Sequence, residues 1–134
     1  MAGYDLEVDS PRYVALDITL HICVLSGYFR SEVLRAVRAE LGSGMLPDGR
    51  LAVFHPDNFS FGDAVYVSRI VAAAQAVEGV EAVWTQKFQR MAAPDVASLD
   101  NSVIPIGRLE IAQLANDPNF RERGRLVLEA GGGQ

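Results

Sequence analysis

Tyr13-Val-Ala-Leu-Asp-Ile-Thr-Leu-His-Ile-Cys-Val24 alternates without a break. Val14, Leu16, Ile18, Leu20, Ile22 and Val24 occupy every second position, and Tyr13, Ala15, Asp17, Thr19, His21 and Cys23 lie between them. Successive side chains of an extended chain point to opposite faces. The spacing therefore predicts one long strand with an apolar face on the core and a more polar face away from it. Pro11 stands just before, where a missing N–H costs the ladder nothing.

The rest of the chain reads outward from this strand. Ser26-Gly27 ends it and a helix follows, with Ser31 as expected N-cap and Glu32 near the positive end of the helix dipole. Val33, Leu34, Val37 and Leu41 form one apolar stripe, and Gly42 is the expected stop. Leu46-Pro-Asp-Gly-Arg50 is a turn, because Pro presets φ and Gly permits positive φ. Leu51 to Phe54 reads as a short strand. After a turn at His55-Pro-Asp-Asn58, Asp63 is placed to cap a second helix running to about Val77, with Val67, Ile70, Val71 and Ala74 inward and Gly79 closing it.

Val80 to Arg90 reads as a strand containing Trp84 and Phe88, and Met91 to Gly107 as a long loop ending near Ile104-Pro-Ile106. Arg108 to Leu114 and Arg125 to Ala130 read as two short strands, joined as a hairpin with a long loop through Asn116-Asp-Pro-Asn119. Gly131-Gly-Gly-Gln134 reads as a flexible tail. This order predicts a single α+β domain over residues 1–134, with two helices packed on one face of a mostly antiparallel sheet of about four to five strands.

Composition narrows the function. Apolar residues make up 49% and charged residues 22%, a globular balance, and no window approaches the roughly 18 apolar residues that span a bilayer. The net charge of -5 argues against a general nucleic-acid binder, which needs a basic footprint. The start Met-Ala-Gly-Tyr-Asp-Leu-Glu lacks the basic-then-apolar order of a secretory signal, so synthesis in the cytoplasm is expected. Cys23 is alone, which excludes an internal disulfide.

Catalytic patterns are sparse. His21 and His55 have no Cys, Asp or Glu at ligand spacing on one helix, so no metal is expected. Neither phosphate-loop glycine pattern is present, and no Gly-x-Ser-x-Gly occurs. No catalytic residue, cofactor or small-molecule substrate is expected. One alternative is a small ligand-binding or enzymatic domain with a pocket near His21, Asp17 and Cys23. Another is a homodimer that pairs edge strands. Aromatic residues and Arg, the types enriched at interface centres, cluster at Phe59, Phe61, Tyr66 and Arg69 and again at Trp84, Phe88 and Arg90. With Arg108 and Phe120 these are the candidate interface residues. The loops Met45–Ser60 and Met91–Pro105 and the terminal hairpin are the candidate contact surfaces.

The runs Pro11-Arg-Tyr-Val-Ala-Leu-Asp-Ile18 and Gly27-Tyr-Phe-Arg-Ser31 resemble the late part of the baseplate J-like family, in particular its baseplate assembly protein branch. The resemblance continues through Phe54-His-Pro-Asp-Asn-Phe-Ser-Phe-Gly62, Val65-Tyr-Val-Ser-Arg-Ile70, Lys87-Phe-Gln-Arg90 and Gly107-Arg-Leu-Glu-Ile-Ala-Gln-Leu114, ending with Asn116-Asp-Pro-Asn-Phe120. It implies a structural, non-enzymatic subunit of a contractile phage tail or phage-tail-like injection system. The implied partners are other baseplate wedge proteins, assembled in the bacterial cytoplasm and then carried in the tail or particle. Full members are several times longer, so the resemblance makes this chain a C-terminal portion. Ala64 stands where the pattern often has Pro.

Overall fold

The computed structural model describes residues 12–55, 58, 62–91, 102–115 and 123–133. Two helices and six strands follow in the order β1 (Arg12–Val24), α1 (Arg30–Glu40), β2 (Val65–Tyr66), α2 (Val67–Gln75), β3 (Val80–Arg90), β4 (Val103–Ile104), β5 (Glu110–Gln113) and β6 (Arg125–Gly132). The fold is α+β, as the alternation of strand and helix patterns predicts.

The long alternating strand is the axis of the main sheet. Its even-numbered face is sealed: Leu16, Ile18, Leu20 and Ile22 are each 0% exposed. The same core takes Val33, Val37 and Leu41 from α1 and its exit, and Ile70 and Ala74 from α2. Both helices therefore bury their stripes against one face of the sheet. Fully burying one such aliphatic side chain is worth about 1.5–3 kcal/mol.

The sheet is mixed where mostly antiparallel pairing is the sequence expectation. β3 runs antiparallel to β1, whereas β5 and β6 both run parallel to it. The expected terminal hairpin does not form. Gln113 pairs with Ala15 and Arg125 with Asp17, so β5 and β6 are one strand line beside β1 from which the intervening residues depart and return. The neck of this excursion is closed by Ala115 N–H donating to Arg123 O at 3.0 Å. Gly124 makes the return possible: its φ is +109°, and a Cβ there would lie 2.8 Å from Gln113 O.

Several local expectations are also corrected. The glycine tail is not loose, because Gly131 and Gly132 complete β6 opposite Cys23 and Val24. Leu51 to Phe54 forms no strand. Leu51 makes only an isolated bridge to Met45, and Val53 and Phe54 donate back to Glu40 O and Gly42 O at the end of α1. α1 begins two residues earlier than a Ser31 cap requires, with Phe29 in the cap position and no side-chain cap. The tight turn that closes with Tyr28 N–H on Leu25 O fixes that start. Asp63 does not cap α2, since Val65–Tyr66 intervenes as β2 and pairs with β4 in a separate two-stranded sheet.

A break in the β1–β3 register decides which β3 residues are inside. The pairing shifts between Thr19 and Leu20 and again between Cys23 and Val24. Phe88 lies opposite Ile18 and is 1% exposed, whereas Trp84, four residues earlier, lies opposite His21 and is 54% exposed. Without the first bulge the two would share a face.

Leu20→Ala should lower unfolding free energy by about 2–5 kcal/mol, the range for aliphatic truncation in a packed core. Glu81→Ala on the exposed part of β3 should change it by under about 0.5 kcal/mol. Urea unfolding followed by circular dichroism measures both.

Candidate functional site

The odd-numbered face of β1 carries the molecule's most organised polar surface. Asp17 is only 6% exposed, and its carboxylate is met from both neighbouring strands. Arg125 donates from Nε to Oδ1 at 3.3 Å and from Nη2 to Oδ2 at 3.2 Å, and Lys87 Nζ lies 3.6 Å from Oδ2. The cations reach solvent while the carboxylate does not. The anion is thus the member whose desolvation the two cations must offset.

Further along this face His21 and Trp84 approach with ring centroids 5.8 Å apart at an interplanar angle of 53°, and Glu129 Oε1 lies 4.0 Å from His21 Nδ1. Cys23 follows as a half-buried free thiol. Asp17, His21 and Cys23 therefore share one face, as their parity predicts, with Thr19 between the first two. Among the described residues no group of three His, Cys, Asp or Glu is arranged to hold a metal ion.

A second polar cluster ties the strands together at the start of β1. Arg90, at the end of β3, donates to Glu110 Oε2 at 3.2 Å from Nη1, to Glu110 Oε1 at 3.0 Å from Nη2, and to Pro105 O at 2.7 Å. Gly107 N–H donates to Glu110 Oε1 at 2.7 Å. These bonds, Arg90 first, hold the Glu110 carboxyl below the usual carboxylate range. The cluster spans β3 and β5 across β1, so Arg90 is a structural clamp more than a free contact residue.

An open groove of about 570 Å³ lies between α1, the 46–50 turn and the exit of α2. Ala36, Ala39, Leu46 and Val77 line it, with Arg50 and Glu78 at the rim. Both rim groups are already engaged. Arg50 Nε lies 2.7 Å from Asp48 Oδ2, which lowers the Asp48 pKa, and Tyr28 donates to Glu78 Oε2 at 3.0 Å, which raises the Tyr28 pKa.

The candidate interface residues separate. Trp84 is exposed on the outer sheet face, and Tyr66, 54% exposed, and Arg69 belong to the β2–α2 unit on the helix side. Arg108 is exposed near the start of β5. Phe88 is corrected to a core residue by the bulge in β3. Phe59, Phe61 and Phe120 lie outside the described residues, as does most of the expected contact loop Met91–Pro105. Sequence reasoning missed Arg125, Lys87 and Glu129, which become a group only once β3 and β6 flank β1. Their outward parity on separate strands was visible, but the parallel pairing that unites them was not. No protein-family model matches the chain, and neither a curated protein nor a solved structure matches it. No helix among the described residues is long and apolar enough to cross a membrane.

Because folding lowers the Glu110 pKa, the ionised carboxylate favours the native state. That contribution is full above the carboxylate's unfolded range and is lost as pH falls through its folded value. Glu110→Gln should therefore lower stability near neutral pH and narrow its gap to wild type in acid. Urea midpoints at the two pH values test the sign, and a gap that widens in acid would contradict it.

Proposed function

We propose that this chain is a contact module of a phage-tail-like baseplate, acting by surface adhesion in assembly of the wedge and making or breaking no covalent bond. The observation that supports it most is Trp84. A large aromatic 54% exposed on a regular strand is the residue type enriched at interface centres. Its backbone is already ordered by pairing with β1, so docking a partner there costs little further chain entropy. Tyr66 offers a second exposed aromatic on the helix side. The sequence resemblance to baseplate J-like proteins supplies the partner class, which is other wedge proteins of a contractile tail or injection particle. On this reading the chain joins its partners in the bacterial cytoplasm and stays in the finished particle.

Co-expression with wedge, spike and sheath proteins encoded beside it, followed by affinity capture, tests the reading. Trp84→Ala should weaken capture of one wedge partner by roughly 30-fold or more, the scale of an interface hot spot of about 2 kcal/mol. The variant's thermal melt should stay cooperative. Capture unchanged by both Trp84→Ala and Tyr66→Ala would contradict the assignment.

A further inference from the structure

The turn from Leu46 to Arg50 sets a folding requirement against a chemical one. Leu46 N–H donates to Arg50 O at 2.7 Å and Gly49 N–H to Leu46 O at 2.9 Å, so the chain reverses tightly here. Gly49 completes the reversal at φ +90°, a conformation that strains a residue carrying a Cβ and not a glycine. The residue before it is Asp48, which makes this the one Asp-Gly step in the chain, and no Asn-Gly occurs. Such a step is chemically vulnerable, because the glycine nitrogen can reach the aspartyl Cγ with no side chain to hinder it. A Cβ built at Gly49 would meet nothing within 4 Å, so the described residues do not shield the nitrogen sterically either.

We propose that Asp48–Gly49 is a latent site of aspartyl isomerisation and that Arg50 is the residue that keeps it closed. The reaction needs no other molecule than water. Gly49 N bonds to Asp48 Cγ, its proton and the carboxyl hydroxyl leave together as water, and a cyclic imide results. Water then adds to one of the two imide carbonyls. Opening at one restores aspartate, and opening at the other routes the main chain through the side chain as isoaspartate.

Both reacting groups are restrained in the fold. Arg50 Nε donates to Asp48 Oδ2 at 2.7 Å and Arg50 N–H to Asp48 Oδ1 at 3.1 Å, so one residue holds both carboxylate oxygens. The guanidinium is anchored in turn from α1, where Glu40 Oε1 lies 3.4 Å from Arg50 Nη2. The Arg50 hydrogen bonds lower the Asp48 pKa and keep the group an anion, a poor electrophile because it has no hydroxyl to lose. Gly49 N–H, the attacking position, is meanwhile committed to Leu46 O. The Arg50 and Asp48 side chains are 63% and 56% exposed, so this is a surface latch that salt weakens. Isoaspartate at this position would lengthen the main chain by one carbon and disrupt the bonds that place Leu46 and Arg50 on the wall of the groove. This inference does not depend on the baseplate reading.

Incubating the whole chain at neutral pH below its melting temperature, with isoaspartate at residue 48 followed by peptide mapping, tests the latch. Folded wild type should accumulate it several-fold more slowly than wild type held unfolded in guanidinium chloride. Arg50→Ala should remove most of that protection while its thermal melt stays cooperative. Glu40→Gln, which releases the guanidinium from α1 without touching the turn, should remove part of it. A folded rate equal to the unfolded one, or Arg50→Ala as slow as wild type, would overturn the proposal. So would an equal rise of isoaspartate at Asp63 in Arg50→Ala, because that reports general unfolding and not a lost latch.

Discussion

Among the described residues every strand of the main sheet pairs with β1, and β3, β5 and β6 make no ladder with one another. One thirteen-residue strand thus carries the hydrogen-bond ladders on both sides and the fully buried row Leu16, Ile18, Leu20 and Ile22 beneath the helices. Its partners come from as far away as Gly132, so the entropy of closing the chain is offset only when distant segments dock on this strand. The Arg90–Glu110 clamp and the Gly124 neck serve the same arrangement, holding β3 and the β5–β6 line on opposite sides of β1.

Such a strand gives the molecule two unlike faces. The inner one is sealed by α1 and α2 and is committed to stability. The outer one keeps Asp17 paired between Arg125 and Lys87 while leaving Trp84 and Glu129 in solvent. Its groups are spread along β1 and its neighbours β3 and β6.

The elements that could be read from sequence are those whose evidence is local. Val80–Arg90 has the bounds its pattern predicts, and β1 differs by one residue, because period-two burial marks a strand wherever its partners come from. Pattern does not encode which neighbour a strand takes or in which direction. Arg108 to Leu114 and Arg125 to Ala130 therefore looked like a hairpin, although they form one interrupted line parallel to β1. The glycines after Ala130 looked like a tail because composition cannot reveal an open ladder position beside Val24. Within the site, Trp84 and Phe88 looked equivalent four residues apart, and only the bulge opposite Thr19 and Leu20 turns one outward and the other inward.

Native-state amide hydrogen exchange on the isolated chain tests most directly whether β1 is the common support. The account predicts that amides from Leu16 to Val24 are the slowest in the protein and exchange only through global unfolding, with opening free energies equal to that of the whole domain. Amides of β1 exchanging through a local opening, while those of α1 and α2 stay protected, would contradict it.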